Sequence, residues 1–168
     1  MLLEKIKSLA AQSAADNIQI RRHLHAHPEL SYQEFETCKY VQAQLKAIGI
    51  PFTVIATTGV LGIIEGKNPT KRVIALRADM DALPIVEENN IEYKSTNDGV
   101  MHACGHDVHT TILLGAAKIL WSLREEFEGT IKLLFQPGEE KNPGGASYMI
   151  RDGALQNPVP QGIIGLHV

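Results

Sequence analysis

The sequence predicts an α/β fold of three layers, with helices on both faces of a mostly parallel central sheet. Short runs rich in valine and isoleucine alternate along the chain with longer stretches whose apolar residues recur at helical spacing. Some of the runs, such as Val73-Ile74-Ala75-Leu76, contain no polar residue, as expected of strands buried on both faces. Polar residues suited to chemistry follow several of these strands, which predicts a site at one edge of the sheet.

Two helices are predicted before the first strand. Apolar residues at near-helical spacing favour one helix from residue 2 to about residue 26, which stops before Pro28. The histidines at 23, 25 and 27 are interpreted as capping and surface residues around that turn, with a set of ligands as the alternative. Ser31-Tyr32-Gln33-Glu34 has the pattern of a capping box, so a second helix is expected to start there and to end at Gly49.

The remaining elements follow from the same patterns. Each predicted strand is a short apolar run bounded by turn residues. Asp107 is the expected N-cap of the longest later helix, and the chain from 85 to 100 is expected to be a loop. The predicted strands are 52–56, 60–65, 72–77, 130–135 and 163–168, and the later helices are 108–127 and 146–151.

Composition indicates an ordinary globular domain. The 168 residues are 44% hydrophobic and 21% charged, and the net charge of −3 gives no reason to expect nucleic acid or a membrane as a partner. The two cysteines, Cys38 and Cys104, lie in unlike contexts, so a disulfide framework is not expected. The first residues lack the apolar stretch of a signal peptide, and a cytoplasmic location is therefore expected.

The segment 101–110 contains three histidines, a cysteine and a carboxylate. Cys104 and His106 stand on either side of Gly105, and thiolate and imidazole are ligands that zinc prefers. A buried core has little use for this mixture, because each polar group would need a partner. The segment predicts a metal or catalytic site, with a polar turn before a helix as the alternative. The following helix is expected to lower the pKa of the Cys104 thiol.

Further candidate ligands follow other predicted strands. Asp79 and Asp81 come after the third strand, Glu139 and Glu140 after the fourth, and His167 lies in the last. Salt-bridged strand ends, solvated surface glutamates and a core histidine are the alternative interpretations. If all these side chains gather at one edge, they could hold two metals that polarise a carbonyl and share a bridging water. A carboxylate left over would move the proton, which is the chemistry of amide hydrolysis.

Six motifs occur in order along the chain, and together they closely resemble the N-acyl-amino-acid amidohydrolases. These aminoacylase-like metallopeptidases include hippurate hydrolase, auxin-conjugate hydrolase and N-acetyldiaminopimelate deacetylase. The resemblance implies a zinc-aminopeptidase-like catalytic domain that hydrolyses C–N bonds other than the peptide bonds of proteins. The implied substrate is a small N-acyl amino acid. The motifs are RHLHAHPELS (22–31), LRADMDALP (76–84), HACGHDVH (102–109), FQPGEE (135–140), GGA (144–146) and GLHV (165–168).

The resemblance also implies roles for individual residues. Cys104 would bridge two divalent metal ions, which would be zinc or manganese, with cobalt or nickel able to substitute. Glu139 would be the general base and acid acting on a metal-bound water, and Asp81 would orient a ligand. The remaining metal ligands implied are His106, Glu140 and His167.

Family members are longer than this chain, so the resemblance implies that residues 1–168 are the first part of a catalytic domain. A lid domain that also serves for homodimerisation, a further metal-binding histidine and an oxyanion-binding histidine would lie in the absent part. The 168 residues are therefore expected to be inactive or nearly so alone. Two alternatives stay open: a non-catalytic truncated remnant that binds metal or a partner, and a cysteine hydrolase with Cys104 as nucleophile.

Overall fold

Five strands form one mixed sheet, and five α-helices pack around it. The computed structural model describes all 168 residues. The helices are α1 (Leu2–Gln12), α2 (Ala14–Ala26), α3 (Phe35–Ile48), α4 (His106–Ser122) and α5 (Gly145–Arg151). The strands are β1 (Phe52–Ile55), β2 (Gly59–Glu65), β3 (Val73–Asp79), β4 (Thr130–Gln136) and β5 (Gly162–Gly165). None of the helices combines the length and the apolar character that crossing a membrane requires.

The strands lie in the order β1-β2-β4-β3-β5. The pairs β4–β3 and β3–β5 are parallel, whereas β2 is antiparallel to both β1 and β4. Four strands therefore run in one direction and β2 alone runs against them, which confirms the predicted mostly parallel sheet. The exception arises because only residues 56–58 connect β1 to β2, too short a link for the crossover that parallel neighbours need.

Helices cover both faces of the sheet, as predicted. Leu133 and Phe135 of β4 point to the face where α3 and α4 pack, and both residues are fully buried. Leu134 points the other way and contacts the smaller cluster that includes Met149 of α5. The result is a three-layer α/β/α arrangement.

The first predicted helix is two helices. α1 ends at Gln12 and α2 begins at Ala14, with Ser13 between them. The Ser13 hydroxyl donates a hydrogen bond to the carbonyl oxygen of Ala10 at 3.2 Å. A hydroxyl that bonds back to the preceding turn bends a helix, and this accounts for the break that apolar spacing alone does not reveal.

The predicted capping box is wrong. α3 begins at Phe35, and the side chains of Ser31 and Glu34 do not cap it. The carboxylate of Glu29 caps it instead, because it accepts hydrogen bonds from the backbone amides of Glu36 at 3.1 Å and Thr37 at 2.8 Å. A carboxylate at this end of a helix satisfies free amides and complements the helix dipole.

Other boundaries also differ from the prediction. β3 ends at Asp79, so this residue lies in the strand and not after it. α4 begins at His106, so Asp107 lies inside its first turn and is not the N-cap. α4 ends at Ser122, and a short 3-10 turn at Arg124–Glu126 replaces its predicted last turn. β5 ends at Gly165, so His167 lies beyond the last strand.

Replacing Glu29 with alanine tests the observed cap. We expect Glu29→Ala to lower the free energy of unfolding by about 1 kcal/mol, because two first-turn amides of α3 lose their acceptor. Urea unfolding followed by circular dichroism measures the change. Glu36→Ala is the matched control, since that exposed side chain bonds only to Lys39. Equal stability of Glu29→Ala and the wild-type chain would contradict the assignment.

Candidate metal centre

The chemically versatile side chains meet at the carboxyl ends of β3 and β4, beside the first turn of α4. β3 and β4 are parallel neighbours with Asp79 directly opposite Gln136, so the segments that follow them leave the sheet side by side. One segment carries Asp81 and the other carries Glu139 and Glu140. Ligands bind at this edge in open α/β sheets.

Three side chains form a group that could hold a metal ion. The ligand atoms of Cys104, His106 and Glu140 all lie within 4.8 Å of one another. Nε2 of His106 is 3.8 Å from Oε1 of Glu140. His106 is buried, whereas Cys104 is half-buried and the Glu140 side chain is 23% exposed, so the group opens to solvent on one side. A thiol, an imidazole and a carboxylate are a donor set that suits zinc and similar metals.

Asp81 lies behind this group and is almost completely buried. Its Oδ2 accepts hydrogen bonds from the Ser31 hydroxyl at 2.6 Å and the Glu140 amide at 3.0 Å, and its Oδ1 is 3.2 Å from Nδ1 of His106. Burial acts to raise the pKa of Asp81, but these hydrogen bonds outweigh it and lower the pKa to about 2. An ionised Asp81 fixes the His106 ring with Nε2 directed toward Glu140.

Asp79, a candidate ligand from the sequence, pairs with His109, to which sequence reasoning gave no role. Together with His106 they form a second, fully buried group whose ligand atoms lie within 4.8 Å of one another. Oδ1 of Asp79 is 2.6 Å from Nδ1 of His109, and Oδ2 is 2.6 Å from Nη1 of Arg77. Nε2 of His109 accepts a hydrogen bond from the Val168 amide at 3.1 Å. The sequence signals for His109 were its place in the histidine-rich segment 101–110 and its spacing three residues after His106, which puts both rings on one side of α4.

His167 is the one predicted ligand that does not join the group. It lies exposed beyond β5, and its ring centroid is 5.3 Å from that of His109. Glu139, predicted as the general base, is also exposed and lies next to Glu140. Its charge acts on the Cys104 thiol, so it borders the group without belonging to it.

The surroundings of Cys104 reverse one expectation from the sequence. Burial and the adjacent Glu140 carboxylate raise the pKa of the Cys104 thiol to about 11, although α4 begins two residues later. The nearby negative charges outweigh the helix dipole, whose effect is modest. A thiolate is therefore disfavoured here unless a cation is present, which weakens the interpretation of Cys104 as a nucleophile.

Gly105 allows the two neighbouring ligands to point the same way. Its φ of +76° lies in the left-handed region, which side chains other than glycine rarely adopt. An added Cβ would also lie only 2.6 Å from Cγ2 of Val168. The chain therefore turns between Cys104 and His106 and enters α4 at once.

A buried polar network supports the first turn of α4 from behind. Asp107 is 2.7 Å from Nδ1 of His25 and 2.9 Å from Nε of Arg21. Nε2 of His25 is 3.0 Å from Glu87, which also accepts a hydrogen bond from the Ser95 amide. His25 is thus a core residue and not the surface histidine that the sequence suggested. Through Glu87 and His25, the loop 85–100 is bound to α2 and, by way of Asp107, to α4.

Comparison with known proteins identifies the family to which this chain is similar. The model of peptidase family M20/M25/M40 matches residues 75–168. An N-acyl-L-amino acid amidohydrolase of Geobacillus stearothermophilus is 48% identical over all of this chain and 45% of its own length. The IAA-amino acid hydrolase ILR1-like 2 of Arabidopsis thaliana is 49% identical over 90% of this chain and 34% of its own length.

A solved structure shows the same fold. Bacillus subtilis YXEP, a dinuclear metal binding peptidase from the M20 family, is 42% identical and superposes with a TM-score of 0.85 over 96% of this chain and 44% of its own. The chain belongs to peptidase family M20/M25/M40. It spans less than half the length of these relatives.

Alkylation of Cys104 tests the charge environment of the site. In chelator-treated protein carrying Cys38→Ala, we expect the alkylation rate to rise about tenfold per pH unit up to pH ~10, because only the thiolate reacts. An ordinary thiol, with a pKa of 9.0, levels off below that. Iodoacetamide labelling followed by mass spectrometry measures the rate.

The matched variant is Glu140→Gln, which removes one negative charge beside the thiol. It should lower the pKa of Cys104 and speed alkylation at neutral pH. A rate that levels off below pH ~9 in the parent protein would show that the carboxylates do not control the thiol.

Proposed function

We propose that this chain provides the first part of the catalytic domain of a metal-dependent hydrolase that cleaves the amide bond of N-acyl amino acids. The observation that carries the proposal is the convergence of Cys104, His106 and Glu140 within 4.8 Å at the carboxyl edge of the sheet. The names of two relatives support the substrate class, because N-acyl-L-amino acids and IAA-amino acids share an acyl group joined to an amino acid.

The donor set fits two divalent ions, with zinc or manganese as the natural choice and cobalt or nickel able to substitute. Cys104 would bridge the ions, and His106 and Glu140 would each bind one of them. His167 would complete the set contributed by this chain, approaching from the exposed segment after β5. When bound, the ions supply a Lewis acid for the substrate carbonyl and lower the pKa of a water molecule.

Glu139 is the residue that would move protons. It is exposed beside Glu140, where a carboxylate can reach both solvent and substrate. It would accept a proton from the attacking water and return it to the amine that leaves. Asp81 would hold the His106 ring in the orientation that metal binding needs.

We further propose that residues 1–168 hydrolyse such substrates very slowly, if at all, in isolation. The chain spans 45% of the Geobacillus relative, and the resemblance assigns an oxyanion-binding histidine and a further metal ligand to the rest. Loss of one oxyanion donor costs roughly 10²- to 10³-fold in rate. Homodimerisation through a lid and a cytoplasmic location stay predictions.

A chimera tests the activity. The chain is fused to the part of the Geobacillus amidohydrolase that follows the matched segment, and hydrolysis of N-acetyl amino acids is measured with zinc or manganese present. We expect activity in the chimera and almost none in the isolated chain. Glu139→Gln in the chimera should lower kcat roughly 10²- to 10⁴-fold, because proton transfer is lost.

Glu36→Gln, a change at an exposed glutamate on α3, is the control and should leave kcat unaltered. A metal-loaded, active chimera whose kcat resists Glu139→Gln would refute the role of Glu139. A folded chimera that binds metal but hydrolyses no N-acyl amino acid would refute the proposed substrate class.

A further inference from the structure

The segment 31–34 does not cap a helix, and its side chains are used for another purpose. Glu34 is completely buried, although an unpaired buried carboxylate is costly. Its oxygens are satisfied by three donors that come from three places in the chain. Oε1 accepts from the backbone amides of Tyr32 at 2.9 Å and Gly138 at 2.6 Å, and Oε2 accepts from the Thr58 hydroxyl at 2.7 Å.

Gly138 is the residue immediately before Glu139. Its φ is +55°, and an added Cβ would lie 2.2 Å from Cε1 of Tyr32. The Tyr32 ring therefore packs directly on the backbone at Gly138, and only glycine leaves room for it. Glu34 and Tyr32 thus hold the same peptide, one by a hydrogen bond and the other by contact.

The segment 31–34 also contacts the residue that follows Glu139 and Glu140 in the chain. The Tyr32 hydroxyl donates to the carbonyl oxygen of Lys141 at 2.7 Å. Between these fixed points, the Glu140 amide donates to Asp81, and Asp81 in turn accepts from the Ser31 hydroxyl. The backbone on both sides of Glu139-Glu140 is therefore bound, directly or through Asp81, to three residues that precede α3: Ser31, Tyr32 and Glu34.

Thr58, which donates a hydrogen bond to Glu34, lies in a well-packed part of the structure. It is almost completely buried in the link between β1 and β2. Through Glu34, the loop after β4 is connected to the hairpin at the edge of the sheet, and not only to the strand that it leaves. A loop fastened at both ends to packed elements presents its side chains with little freedom, which metal binding and proton transfer require.

We infer that Glu34 and Tyr32 are positioning residues that hold the loop carrying Glu139 and Glu140 in the geometry needed for metal binding. The expected effect on metal binding rests on the proposed function. The contacts of Glu34 and Tyr32 with the loop are observed independently of it. Neither side chain belongs to the ligand group, so both act through the backbone of the loop.

Two measurements on the 168-residue chain test it. The first is amide hydrogen exchange of the peptide 138–145 in metal-free protein, by mass spectrometry. The second is Co²⁺ binding, from competition with a chelating dye and from the visible ligand-field spectrum. Circular dichroism and thermal unfolding establish that each variant is folded.

Glu34→Ala should make the peptide 138–145 exchange roughly tenfold faster while α4 and β4 keep their protection. It should weaken Co²⁺ binding roughly 10- to 100-fold and alter the ligand-field spectrum. Glu34→Gln should change binding less than about threefold, since an amide oxygen can accept from the same two amides. Tyr32→Phe keeps the ring on Gly138 and loses only the Lys141 bond, so its loss should be about threefold.

Glu36→Ala is the matched control, because Glu36 lies two residues further on and does not contact the loop. Unchanged exchange and Co²⁺ binding in folded Glu34→Ala would overturn the inference, as would equal losses in Glu34→Gln and Glu34→Ala. If Glu34→Ala does not fold, unchanged exchange and spectrum in Tyr32→Phe overturn it. A wild-type chain that binds no Co²⁺ would refute the proposed function instead, while the exchange experiment would still decide the inference.

Discussion

The buried carboxylate of Asp81 joins the three segments from which the site is built. It accepts a hydrogen bond from Ser31 before α3 and another from the Glu140 amide after β4, and it contacts the His106 ring at the start of α4. Each of these segments also carries or holds a candidate ligand. Burial disfavours the ionised form of this carboxylate, and the hydrogen bonds from its partners outweigh that effect and keep the pKa low. The site is therefore assembled by one anion whose partners come from distant parts of the sequence.

The candidate ligands differ from the buried carboxylates Asp79 and Asp81 in how their negative charge is compensated. Asp79 is compensated by Arg77 and His109, and Asp81 by its three donors. Cys104 and Glu140 lie side by side, and burial together with the Glu140 carboxylate raises the pKa of the thiol to about 11. A divalent cation between them would remove the repulsion and favour the thiolate, and we consider this the physical reason why these two residues lie together.

Local patterns were sufficient to predict the strands and the composition of the site. Unbroken apolar runs such as that of β3 are typical of strands covered on both faces, and a cysteine two residues from a histidine has few uses in a core. Local patterns failed where a side chain bonds to a residue far along the sequence. Ser31 and Glu34 match a capping box, but Ser31 bonds to Asp81, 50 residues away. Besides the nearby Tyr32 amide, Glu34 bonds to donors 24 and 104 residues away. The partner of His25 in α4 is 82 residues away.

The raised pKa of Cys104 was missed for the same reason. The helix dipole that argues for a low pKa can be inferred from the next few residues, whereas Glu140 comes next to the thiol only when α4 packs against β3 and β4 in the folded chain. His167 is the opposite case. The sequence assigned it to a strand and to the ligand group together, but β5 ends before it, and the residue lies exposed next to His109.

X-ray absorption at the zinc edge of the zinc-loaded chain tests the metal centre most directly. A zinc ion held by Cys104 should show a sulfur neighbour at about 2.3 Å, with nitrogen and oxygen neighbours at about 2.0–2.2 Å. The sulfur neighbour should disappear in Cys104→Ala, while Cys38→Ala retains it. A spectrum with only nitrogen and oxygen neighbours in the folded wild-type chain, or a folded chain that binds no zinc, would contradict a thiolate-based metal site.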